Sequence, residues 1–201
     1  MNMQNVLAGF GQELNQNVRS KTRALEQHTI YLYGDIGAPD SYVDEIETIR
    51  NLGEGDSCII RINSSGGRLD GALALINAIK DAEGYVHAAV DGECMSAATF
   101  IFLSAMSWEL SDHSQFMIHN ASSGMFGKVN DMALQSDFFK QYMQDLYMDV
   151  YQGFLSKKEI KRVLKGEDIW LNTKQVGDRL EKLVKVRTEQ MEAMFGEDDT
   201  E

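Results

Sequence analysis

Apolar and polar positions alternate along this chain in two rhythms that follow one another in turn. "TIYLYG" (29–34), "SCIIRI" (57–62) and "YVHAAV" (85–90) are short, β-rich apolar runs and predict buried strands. Between them lie segments of helical spacing. "SYVDEIETIRNL" (41–52) sets Tyr42, Ile46 and Ile49 on one side, and "RLDGALALINAIKDA" (68–82) is clearly amphipathic. A third helix is expected over 96–106, then short β-like pieces at "SWEL" (107–110) and "QFMIH" (115–119). A long helical pattern follows from about Asn130 to Phe154. Strands and helices alternate in units long enough for crossovers, so the fold class is α/β with a largely parallel sheet. The only proline, Pro39, falls in the loop "GAPDS", and no internal repeat stands out.

Composition narrows the field. A chain of 201 residues, 43% hydrophobic and 25% charged, suits one compact domain with a substantial core. The formal net charge of −12 disfavours nucleic acid, whose recognition needs clustered Lys and Arg. No run approaches the roughly 20 apolar residues of a membrane span. The start of the chain lacks the pattern of a secretory signal, which points to the cytoplasm. Cys58 and Cys94 both sit in apolar, strand-like context and read as buried thiols rather than a disulfide. Much of the acidic excess gathers near the end, so 187–201 is expected to be a solvated, mobile tail. No zinc signature, phosphate loop or dinucleotide fingerprint is present, so no metal and no cofactor is called for.

Candidate chemistry lies where predicted strands end. Ser96, in "GECMSAAT" (92–99), stands at the seam between an apolar strand and an apolar helix. It suits a helix N-cap, and equally a nucleophile presented on an elbow. "NSSGG" (63–67) reads as a βα turn, or as backbone able to approach a ligand closely. His119 closes "FMIH" as a structural hydrogen-bonder or a base; His28, His87 and His113 are alternatives, with His87 reading as core. Asp168 alone is a loop carboxylate, and Asn172 with Gln175 has the spacing of a capping box. Taken together they offer what serine catalysis needs: nucleophile, base, orienting acid and amide donors.

In this order the motifs resemble the ClpP family of self-compartmentalising serine proteases. "INSSGG" (62–67) is similar to that family's Asn-Ser-Pro-Gly-Gly turn, and "GECMSAA" (92–98) to its nucleophile motif. "FMIHN" (116–120) is similar to its histidine segment. "DIWLNTKQVGDRLEKLV" (168–184) resembles the segment whose aspartate stands two residues before an aromatic. The interval from His119 to Asp168 needs no gap, and Gly127 and Asp131 fall where the family's handle strand turns into its handle helix. The resemblance covers about 28–186, leaving 1–27 as an atypical N-terminal segment.

The resemblance implies a ClpP/crotonase-like spiral of βαβ units with a projecting strand–helix handle, about 120–155. It implies Ser96, His119 and Asp168 as the triad and the amides of Gly67 and Ala97 as the oxyanion hole. Substrate would lie extended between Arg68–Leu69 and a handle strand at Ser123, Gly124 and Met125. Partners would be copies of itself, in a heptameric ring or stacked as a tetradecamer, and an AAA+ unfoldase feeding unfolded protein; short peptides would enter alone. Departures are Ser65 for a proline, Ala121 for another, and Ala97–Ala98 for Met-Gly. Ile59 and Arg61 stand where the family often has aromatics for docking its ATPase, which suits a divergent, phage-encoded or organellar kind of member. Two other classes fit parts of the pattern: a crotonase-type acyl-CoA enzyme, which needs no Ser–His pair, and a silent structural subunit of a mixed ring.

Overall fold

The computed structural model describes residues 24–122, 124 and 126–195. Three parallel strands, β1 (Gln27–Ile36), β2 (Ser57–Gly67) and β3 (Tyr85–Met95), form the body of one sheet with β2 between its neighbours. Alternate residues point to one face, so Ile30, Leu32, Cys58, Ile60, Ile62, Val86, Ala88 and Val90 are buried together. Helices α1 (Val43–Arg50), α2 (Leu69–Asp81) and α3 (Ala97–Ser104) supply the crossovers and the core. Helix α3 is buried from Ala97 to Leu103, as its apolar sequence requires. The odd positions carry Tyr31 and Tyr33, which stay exposed, and the half-buried Arg61 and His87.

Beyond β3 the sheet divides. β4 (Ser107–Leu110) pairs with His87–Val90, and β5 (Gln115–Ile118) pairs with Glu93–Met95, so the two share one edge of β3 in succession. β6 (Ile169–Asn172) closes that side antiparallel to β5. Helix α4 (Val129–Tyr151) is the long helix expected from the pattern, followed by α5 (Lys157–Leu164) and α6 (Thr173–Phe195).

Three differences from the hydrophobic pattern have physical causes. β2 and β3 continue through Gly67 and Met95, past their apolar runs, because their polar ends still pair across register shifts at Tyr33/Asp35 and Ile62/Ser64. "NSSGG" is therefore strand rather than turn. The expected acidic tail, 187–201, is helical as far as Phe195. Arg187 turns inward there, donating to the carbonyls of Leu103 (2.6 Å) and Ala105 (3.1 Å), with its guanidinium 5.1 Å from the Trp108 ring centroid. Those carbonyls end α3, where a cation is favoured. Lastly, the described residues between β5 and α4 form no strand, where the handle strand was expected. A strand needs a neighbouring strand for its N–H and C=O groups, and no strand of the described residues pairs with this stretch. Among the described residues, no helix is long and apolar enough to cross a membrane.

The α5–α6 corner is fixed by charge. Ser156 and Glu159 form a reciprocal capping box, and Glu159 also accepts from Arg179 on α6 at 2.7 Å. The Arg179 hydrogen bond foremost, helped by those from Ser156, holds the Glu159 carboxyl down at about 2, against an ordinary 4.5. A depressed folded-state pKa gives stability that is complete above the unfolded value and fades as pH falls from about 4.5 towards 2. Glu159→Gln should therefore cost on the order of 2 kcal/mol at pH 7, with the difference from wild type shrinking towards pH 2. Urea unfolding across that pH range measures it; a pH-independent difference would remove the ion pair from the explanation.

Candidate active site

Ser96 joins β3 to α3 with φ 53° and ψ −124°, and it is the one non-glycine with positive φ among the described residues. Such backbone costs about 1–3 kcal/mol and persists only where its surroundings enforce it. Two neighbours enforce it here. The Ser96 N–H donates to the Met117 carbonyl on β5 at 2.8 Å, and Gly66 packs against the serine from β2. A Cβ on Gly66 would sit 2.6 Å from Ser96 Cβ and 2.7 Å from the Met95 oxygen. Although Ser96 occupies the N-cap position of α3, its hydroxyl caps no amide. It lies 2.7 Å from His119 Nε2 instead. A hydroxyl donating along this line requires the neutral ring to carry its proton on Nδ1.

His119 follows the last residue of β5, and its position is set through its backbone. The Tyr147 hydroxyl, on α4, donates to the His119 carbonyl at 2.5 Å. One turn on, the Tyr151 hydroxyl meets Thr99 Oγ1 at 2.6 Å, and Thr99 Oγ1 lies 2.7 Å from the Ser96 carbonyl. Burial raises both tyrosine pKa values. Helix α4 thus grips both sides of the Ser–His pair. The helical pattern over 130–154 predicts this helix but not these roles; the i,i+4 spacing of the two hydroxyls is the signal that could have found them.

Asp168 immediately precedes β6. Antiparallel pairing ends at Ile118↔Ile169, so the next register step sets His119 opposite Asp168. Its side chain is exposed and, among the described residues, makes no hydrogen bond to His119. The structure therefore brings Ser96 and His119 into contact and leaves Asp168 beside them, unengaged.

Around the pair opens a cleft of about 670 Å³ whose walls include Ser65, Gly66, Gly67, Arg68, Leu69, Ala97 and Ala121. Gly67 (φ 147°) lies so close to β1 that a Cβ would meet the Ile36 oxygen at 2.3 Å. Arg68 N–H donates to that same oxygen at 2.8 Å. Because successive N–H groups of an extended chain alternate in direction, the Gly67 amide faces away from β1. Ala97 is the first residue of α3, where amides have no partner within the helix. Gly124 is exposed, while Ser123 and Met125 lie outside the described residues. Of the other histidines, His87 is half-buried beside Ser107 (2.6 Å) and His28 bonds Glu26; neither lines the cleft. Asn172 and Gln175 form the expected reciprocal box, at 2.9 and 3.0 Å. Cys58 and Cys94 are buried free thiols, their pKa values pushed up by burial.

A family model described as Clp protease matches residues 12–178. The chain belongs to the Clp protease family. That membership makes it a ClpP-type serine peptidase in general terms, and the match reaches back into the segment set apart as atypical. Among solved structures, a variant of ClpP1 from Listeria monocytogenes is similar in fold, with a TM-score of 0.60 and 20% sequence identity. The alignment covers 77% of this chain and 87% of that one. Among curated proteins, none matches this sequence.

The close approach at Gly67 gives a direct test of how the Clp protease cleft is built. Gly67→Ala must displace backbone, so it should lower the unfolding free energy by at least about 2 kcal/mol. Gly177→Ala, in open space on helix α6, should be neutral or stabilising by up to about 1 kcal/mol. Urea denaturation of both variants makes the comparison, and equal effects would contradict this packing.

Proposed function

We propose that this Clp protease is an endopeptidase in which Ser96 is the nucleophile and His119 the general base, working in a chamber of self-assembled rings. The observation carrying the proposal is the 2.7 Å contact between Ser96 and His119 at a strained elbow that forgoes its N-cap bond. Ser96 Oγ attacks the peptide carbonyl as His119 Nε2 takes its proton. The amides of Gly67 and Ala97 receive the oxyanion, each worth about 3 kcal/mol in such sites. His119 then protonates the departing amine, and water hydrolyses the acyl-enzyme by the same route. Asp168 is the group that orients the imidazole, its register position opposite His119 supporting that role. Substrate adds as an extended strand along Arg68 and Leu69, with Ser123, Gly124 and Met125 on its other side.

Assembly follows from helix α4. Its first half leaves Val129 (82%), Leu134 (72%) and Phe138 (73%) exposed, and Phe126 (98%) is exposed just before it. An apolar stripe of this kind favours burial against further copies, which supports a heptamer or a stacked tetradecamer. The sequence holds no nucleotide-binding motif, so unfolding of protein substrates belongs to a separate AAA+ partner. The two buried free thiols support a cytoplasmic setting.

Cleavage of an internally quenched peptide without ATP tests the chemistry. Ser96→Ala should abolish turnover, and Asp168→Asn should lower it on the order of 10³–10⁴-fold. Undiminished cleavage by Ser96→Ala would overturn the assignment. Light scattering tests assembly: wild type should form a large oligomer, and Leu134→Glu with Phe138→Glu should dissociate it. A wild-type monomer with full activity would rule out the ring.

A further inference from the structure

The cleft carries a carboxylate that serine catalysis does not use. Asp35 lines it together with Ser96 and His119, and its Oδ1 accepts a hydrogen bond from Ser65 Oγ at 3.1 Å. Its placement depends on an irregularity in the sheet. The β1–β2 register passes from Tyr33↔Asn63 to Asp35↔Gly66, so β2 spends one residue more than β1, and Gly34 at φ 85° accompanies the shift. Bulges of this kind turn a side chain away from its regular direction. Asp35 is exposed, and Ser65 is its one side-chain partner among the described residues.

The other charge nearby is already matched. Arg68 holds Asp70 in a fork, Nε to Oδ1 at 3.0 Å and Nη2 to Oδ2 at 2.6 Å. Asp40 adds a further carboxylate within electrostatic reach of Arg68. Three carboxylates against one guanidinium make this mouth of the cleft anionic. Asp35 and the Arg68–Leu69 segment flank the catalytic pair on opposite sides of Gly67. A substrate paired with Arg68 and Leu69 lies beyond Gly67 on one side, whereas Asp35 stands opposite Gly66 and against Ser65 on the other. With the acyl part in the first place, the part leaving as the amine passes Asp35.

We propose that Asp35 is a specificity-determining residue, selecting a lysine or arginine side chain on the leaving-group side of the scissile bond. The inference rests on the peptidase reading of the same cleft. Quenched peptides differing only in the residue after the scissile bond, Lys, Ala or Glu, test it with the full-length protein. Wild-type kcat/KM should fall from Lys to Ala to Glu, spanning about tenfold, and rising salt should compress the span. Asp35→Asn should flatten the series, and Asp35→Lys should reverse it. A wild-type Lys/Glu ratio near one, or an unchanged ratio in Asp35→Asn, overturns the inference while Ser96-dependent cleavage of the alanine peptide leaves the peptidase reading standing. If Ser96→Ala cleaves the alanine peptide as well as wild type does, both fall.

Discussion

The space beside Gly66 is where the molecule is most tightly constrained. Only a hydrogen fits between β2 and the Ser96 elbow, and the strained serine backbone is held from the other side by the Met117 carbonyl. Each contact comes from a different strand. The elbow therefore exists only if β2, β3 and β5 are in register, and the register shifts at the ends of β1, β2 and β3 are what bring them there. Strain of about 1–3 kcal/mol is small against a buried sheet and three packed helices. The fold can hold the serine in a conformation it would not adopt alone, with its hydroxyl on an imidazole rather than on a helix amide.

Helix α4 ties this constraint to the outer surface. Its buried second half places Tyr147 on the His119 carbonyl and Tyr151 on Thr99, whose hydroxyl reaches the Ser96 carbonyl. Its first half presents the exposed Leu134 and Phe138. One rigid element thus spans the catalytic pair and the surface proposed for assembly. Anything that shifts the helix along its axis moves two hydroxyls that fix the spacing of nucleophile and base.

Much of the sheet was legible because burial on one face leaves a period-two signature, seen in Ile30 and Leu32, Ile60 and Ile62, Val86 and Ala88. The polar strand ends were not, because "NSSGG" and "GECM" pair by backbone without the apolar alternation that marks a strand. The final helix was misjudged as far as Phe195: its exposed, acidic face hides Arg187, which reaches back to α3 across more than 80 positions of sequence. Ser96 and His119 were found as motif residues, and the geometry joins them. Asp35 was passed over, since a lone Asp after Gly34 carries no pattern until a bulge sets it in the cleft.

The most direct measurement is covalent. A fluorophosphonate reacts with a serine whose hydroxyl is activated by a neighbouring base, and mass spectrometry of the digested protein locates the adduct. Ser65 and Ser122 line the same cleft as Ser96, so the site of reaction discriminates within a small space. The expected result is a single adduct on Ser96, formed by wild type and lost when His119 is replaced by alanine. An adduct on Ser65 or Ser122, or labelling of Ser96 that proceeds equally without His119, would contradict the assignment of this pair as nucleophile and base.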